Sequence, residues 1–154
     1  MSEKTAIAEG PDETFAVGES LGGALRGGEV ILLFGGLGAG KTLLTKGILS
    51  ALDFDIDEVT SPSFTLVNLY KTTRFDVYHI DLWRLDGIAD AAQAVGLVEI
   101  LENEKAVAII EWAERLGDQA FDNVTISVII EGDGYDPRRI TLDRKKCNIY
   151  DKKI

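Results

Sequence analysis

Cysteine occurs once, at Cys147, histidine once, at His79, and proline three times in 154 residues. One cysteine excludes an internal disulfide, which fits a reducing compartment. The prolines form no linker, and no internal repeat or low-complexity tract divides the chain, so one domain over residues 1–154 with a single core is expected. No apolar run exceeds six residues, far short of the ~20 needed to cross a bilayer, so no membrane association is expected. The opening MSEKTAIAEG lacks the apolar core of a secretory signal, and a cytoplasmic location follows as an expectation.

Basic residues are also scarce: 16 against 26 acidic, for a net charge of −10. A body this acidic repels polyanions, which argues against nucleic acid binding over most of the surface. Residues 138–154 depart from that balance with seven bases and a net charge of +5, leaving −15 on the rest. They read as charges guarding an edge strand, or alternatively as a docking surface for an acidic partner or RNA.

What the chain has in abundance is glycine, 16 residues, four of them in GGLGAGKT at 35–42. Val30-Ile31-Leu32-Leu33-Phe34 directly before it reads as a buried strand, and Lys41 to Leu52 as a helix with Leu44, Ile48 and Leu52 on one face. Gly35-x4-Gly40-Lys41-Thr42 between strand and helix fits the Walker A pattern. Its glycines let successive backbone N–H groups turn onto phosphate oxygens, and the helix dipole favours the same anion. Gly35, Gly38, Gly40, Lys41 and Thr42 are therefore candidate phosphate contacts, with Lys41 on the terminal phosphates and the Thr42 hydroxyl on Mg²⁺.

GTPases, nucleotide kinases and ATPases share this loop. No Asn-Lys-x-Asp run is present to read guanine, and only Arg138-Arg139 come close to the arginine-rich lid a nucleotide kinase needs, which puts an ATP hydrolase or ATP-driven switch ahead. Mg²⁺ needs a second protein ligand, usually an acid at the end of a neighbouring strand. Asp81 ends Val77-Tyr78-His79-Ile80 and Glu111 ends Val107-Ala108-Ile109-Ile110, so both are candidates. His79, inside its apolar run, reads as structural rather than catalytic.

The remaining pattern is a helix opened by Asp12-Glu13-Thr14 and ended by Gly27-Gly28, a TSPSF loop, and strands at Thr65–Tyr70 and Phe75–Leu82. A helical stretch over Ile88–Leu101, broken near Gly96, follows, then a strand at Ala106–Ile110 and a hairpin of Val124–Ile130 with Ile140–Arg144. This order implies an α/β P-loop NTPase three-layer sandwich, with a mostly parallel sheet and an antiparallel edge.

Taken together, GGLGAGKT, SPSFTLV, HIDLWRL and IIEW, in this order over roughly residues 12–145, resemble the TsaE family, the ATPase subunit of bacterial tRNA threonylcarbamoyladenosine synthesis. The resemblance implies ATP and Mg²⁺ as cofactors, and as partners the two sugar-kinase-fold subunits of the bacterial threonylcarbamoyl transferase complex, with tRNA reached through that complex. Their joint product carries a threonylcarbamoyl group on the adenosine next to the anticodon, in tRNAs reading codons that begin with A. By the same resemblance Gly38, Ala39, Gly40, Lys41, Thr42 and Leu43 wrap the phosphates, Thr42 and Glu111 hold Mg²⁺, and Lys41 and Asp81 act in catalysis with Glu111, Asp81 by supporting the metal or the attacking water. Trp112 matters for activity, Ser61, Ser63 and Thr65 belong to a switch-like loop near the γ-phosphate, and residues around Thr14 approach the adenine.

The chain departs from the family pattern at Gly36, usually an acid, at Leu43, often a hydroxyl, and at Trp83, commonly a tyrosine. Two functions of different class stay open: an ATPase that resets a tRNA-modifying complex, and a binding module for which ATP is only glue. No arginine lies in the loop, the switch-like segment or IIEW, and Arg84 and the Arg138-Arg139 pair, each with a ready structural use, are the only candidates in cis, so slow hydrolysis by the chain alone is expected.

Overall fold

The apolar runs become the strands of a single sheet. The computed structural model describes residues 2–36, 38–85, 90–117 and 121–146. Among them, β1 (Ser2–Ala8), β2 (Val30–Phe34), β3 (Val67–Lys71), β4 (Asp76–Asp81), β5 (Val107–Glu111), β6 (Val124–Glu131) and β7 (Arg138–Lys146) pair in the order β1-β7-β6-β2-β5-β4-β3. β2 runs parallel to β5 and β6, and β4 parallel to β5, while β3, β7 and β1 pair antiparallel at the two sides. β5 is buried at all five positions, as expected for a parallel strand covered on both faces.

Side-chain alternation sorts the core into two layers. Ile31, Leu33, Val107 and Ile109 face α1 (Pro11–Gly23) and α2 (Lys41–Ala51). Val30, Ala108 and Ile110 face the opposite layer, which contains α3 (Ala91–Ala94) and α4 (Leu97–Leu101). This is the three-layer P-loop architecture. α1 and α2 touch through glycines: a Cβ on Gly18 would lie 2.2 Å from the Leu44 carbonyl oxygen, and one on Gly47 2.2 Å from that of Phe15.

Several boundaries differ from expectation. α1 ends at Gly23, with Ala24 as its cap, and the buried Leu25 follows the helix. Gly27 and Gly28, at φ 103° and 87°, instead turn the chain into β2, where Glu29 accepts from the Arg26 and Gly27 amides at 2.8 Å each. β3 starts at Val67 rather than Thr65, because Leu66 adopts φ 69° and donates its N–H to the Pro62 carbonyl at 2.8 Å. The helical stretch is divided at Gly96, φ 69°, and Ile88 and Ala89 lie outside the described residues.

The largest correction concerns the basic C-terminal stretch. β1, a strand absent from the sequence reading, pairs with β7 from Ser2↔Arg144 to Ala8↔Arg138, while β6 pairs with its other side. Residues 138–146 are therefore an inner strand, and their bases do not guard an edge. Residues 147–154 lie outside the described residues.

Candidate functional site

β2 sits at the middle of the sheet, and the chain leaving it turns through Gly35 and Gly36 before entering α2. Gly38 and Gly40 adopt φ 76° and 114°, values open to glycine without strain. Gly40 is the N-cap of α2 and supplies no side-chain cap, which leaves the helix's first amides without a capping side chain. Lys41 is buried; its Nζ donates to the carbonyls of Gly35 (2.5 Å) and Gly36 (3.3 Å) and lies 4.1 Å from the centre of the Trp112 ring. Burial pushes its pKa down, opposed by the charges of Glu111, Glu114 and Asp81.

The two candidate carboxylates meet across a parallel pair. Asp81 and Glu111 are register partners at the ends of β4 and β5, each 3% exposed. Both lie on the sheet face that carries α2, the same face as His79 two residues before Asp81. Asp81 Oδ2 accepts from Ser61 Oγ and Ser63 Oγ at 3.3 Å each, the two hydroxyls stand 2.8 Å apart, and Oδ1 accepts from the Trp83 amide. Glu111 Oε2 lies 2.5 Å from Nε2 of the fully buried His79. His79 Nδ1 meets the Tyr70 hydroxyl at 3.3 Å, and that hydroxyl reaches the Thr60 carbonyl at 3.0 Å. A polar chain thus runs from Glu111 to the backbone beside Ser61.

Lys41, Ser61, Ser63, Asp81 and Glu111 line one cleft of about 570 Å³. Gly38, Ala39, Gly40, Lys41, Thr42 and Leu43 form one wall, Ser61, Ser63 and Phe64 another, and Asp81, Glu111 and Trp112 close the bottom. Trp112 adopts φ 57°, a strained value for a bulky side chain, and its ring packs 4.5 Å from that of Trp83. Arg84 also lines the cleft, with its guanidinium 4.3 Å from the ring of Phe64, itself 81% exposed.

Thr65 stays away from the cleft: it is exposed, and its hydroxyl donates to Asn68 Oδ1 at 2.8 Å. Gly35 contributes its carbonyl to Lys41 rather than a surface to the cleft. Thr14 is buried in a second cavity of about 370 Å³ that shares Gly38, Ala39, Gly40 and Leu43 with the first and is also bounded by Tyr135 and Arg138. The sequence offers Arg138 only as one of three arginines able to reach the γ-phosphate in cis, and its place beside Thr14 and behind the loop was not foreseen. Sequence reasoning also missed the link from His79 to Glu111, although spacing of two residues from Asp81 was a signal that both share a face.

The donor set suits magnesium. A hydroxyl at the start of α2 and two buried carboxylates are hard oxygen ligands, and Mg²⁺ on a nucleotide takes one or two carboxylates and completes its shell with phosphate and water.

Residues 8–140 match the sequence model of the family described as "Threonylcarbamoyl adenosine biosynthesis protein TsaE". The chain belongs to the TsaE family. Among its TsaE relatives, a protein of Bacillus subtilis (strain 168) is 33% identical over 132 residues, covering 86% of this chain and 80% of the relative. One of Treponema pallidum (strain Nichols) is 35% identical over 137 residues, covering 88% and 97%. Both are named tRNA threonylcarbamoyladenosine biosynthesis protein TsaE. The fold of this TsaE chain is similar to the crystal structure of Bacillus subtilus YdiB, with a TM-score of 0.72 and 28% identity over 92% of this chain and 84% of that one.

Proposed function

We propose that this chain is a single-domain, Mg²⁺-dependent ATPase of the cytoplasm, required for threonylcarbamoylation of the adenosine next to the anticodon in tRNAs reading codons that begin with A. Its partners are the two sugar-kinase-fold subunits of the bacterial threonylcarbamoyl transferase, with tRNA engaged through them, and its hydrolysis resets that complex. The observation that carries this reading is the register pair Asp81–Glu111 in the same cleft as Lys41 and Thr42, in a chain whose relatives are named for this modification.

The loop amides and the start of α2 bind the phosphates, and Lys41 leaves the Gly35 and Gly36 carbonyls to pair with them. Thr42 and Glu111 hold Mg²⁺, which when bound neutralises charge on the phosphate oxygens. His79 orients the Glu111 carboxylate. Asp81 orients the attacking water, and Ser61 and Ser63 exchange partners there as the loop opens and closes. Thr14 borders the adenine.

Arg84 is stacked on Phe64 and Arg138 is bound to backbone carbonyls. This supports slow hydrolysis by the chain alone and acceleration by the partner complex, through added charge or an ordered Ser61–Phe64 wall. Phosphate release with and without the partners tests it. A mutant that binds ATP without hydrolysing it, assayed for repeated modification cycles, separates a resetting ATPase from a binding module. Equal rates in the first assay and repeated cycles in the second would defeat the proposal.

A further inference from the structure

Arg138 opens β7 directly after the turn of the β6–β7 hairpin, a hundred residues from the phosphate loop in sequence. Its guanidinium nevertheless reaches that loop: Nε donates to the Ala39 carbonyl at 3.0 Å and Nη2 to the Gly38 carbonyl at 3.2 Å. The same group donates to the Gly134 carbonyl at 3.0 Å and the Asp136 carbonyl at 2.6 Å in its own turn. The turn is shaped to admit it, since a Cβ on Gly132, at φ 136°, would lie 2.9 Å from Arg138 Cδ. Its neighbour Arg139 points to the other face and is exposed.

We infer that Arg138 is a positioning residue for nucleotide binding, one that sets the phosphate loop from behind by holding two of its carbonyls. In a planar trans peptide the C=O of one residue and the N–H of the next point in opposite directions. Anchoring the carbonyls of Gly38 and Ala39 therefore sets the direction of the Ala39 N–H, which donates to the Gly36 carbonyl at 3.2 Å, and of the Gly40 N–H, both in the loop that receives phosphate. Glycine at 38 and 40 leaves these peptide planes free to turn, so their direction is set by the bonds they make, from within the loop at the Gly36 carbonyl and from outside it at Arg138. A cation at the carbonyl end also polarises each peptide and strengthens its N–H as a donor. Guanidinium suits this task because its donors lie in one plane as a fork, which an ammonium cannot copy. A residue that merely braced the hairpin would need the Gly134 and Asp136 carbonyls and not the other two.

The inference rests on the reading of the loop as a nucleotide site. The test titrates fluorescent ATP and ADP against wild type, Arg138→Ala, Arg138→Lys, Arg139→Ala and Lys41→Ala, with thermal unfolding of each chain free of nucleotide. Arg138→Ala is expected to weaken ATP and ADP alike, by about tenfold or more, while Arg138→Lys recovers only part and Arg139→Ala binds as wild type. Added methylguanidinium should restore affinity to Arg138→Ala, a rescue that a folding defect would not show. Wild-type affinity in Arg138→Ala, or a loss that follows thermal stability and resists rescue, overturns the inference while leaving the nucleotide site standing. Absence of ATP binding by wild type removes the nucleotide reading and the inference with it.

Discussion

On one wall of the cleft the phosphate loop is held by its own backbone, by Arg138 and by α2, which is locked against α1 where glycine meets carbonyl at Gly18 and Gly47. On the facing wall Ser61 and Ser63 meet Asp81 through hydroxyl contacts of 3.3 Å, with the Pro62–Leu66 bond and the Tyr70 and Asn68 side chains holding the backbone around them. Close backbone packing permits one arrangement, whereas hydroxyl pairs can exchange partners at low cost. The difference suits a site in which one side receives phosphates in a fixed geometry and the other responds when the terminal phosphate leaves.

The largest effect should come from the fixed wall. Lys41→Ala removes the cation now held by the Gly35 and Gly36 carbonyls, and ATP affinity is expected to fall by about 100-fold or more in a fluorescence titration. Near-normal affinity would remove Lys41 from the phosphate site. Gly47→Ala attacks the same wall through its support. Its new Cβ would have to clear the Phe15 carbonyl, so α1 must move, at about 1–3 kcal/mol. A lowered unfolding midpoint is the expected result, and an unchanged one would show that the two helices are not locked there.

Thr42→Ala addresses the metal and should leave nucleotide binding in place. The Mg²⁺ concentration needed for half-maximal turnover is expected to rise about tenfold, by the loss of one ligand and its orientation. If that requirement does not change, Thr42 is not a ligand.

How much of this was readable from the chain depends on sequence distance. The Val30–Phe34 strand, the glycine turn and the Lys41 helix are neighbours, and their periodicity and glycine spacing declare them. Asp81 and Glu111 were legible because each ends an apolar strand, and parallel register then sets them side by side. β1 was not legible, because Ser2–Ala8 has polar and apolar residues at low contrast and gains its stability from pairing with β7, 130 or more residues away. The contacts of Arg138 were hidden for the same reason. Charge and strand position are local properties, but the carbonyls it meets are chosen by the fold.

The smallest expected effect sharpens the movable wall. Ser63 shares Asp81 Oδ2 with Ser61, whereas Thr65, two residues on, bonds Asn68 instead. Ser63→Ala removes one hydroxyl from the Asp81 contact, a net change of about 0.5–1.5 kcal/mol, so the backbone amides of residue 61 and residues 63–66 should exchange with solvent a few-fold faster. Hydrolysis by the chain alone should change little, because in this proposal the wall is ordered for catalysis by the partners. Thr65→Ala loses its bond to a neighbouring side chain and leaves Asp81 untouched, so exchange at Ser61 and Ser63 should stay as in wild type. Amide exchange by mass spectrometry, run on both variants without nucleotide, reads the difference directly. Equal acceleration in the two would mean that the loop's order does not pass through Asp81, and the contrast between the walls would then rest on the phosphate loop alone.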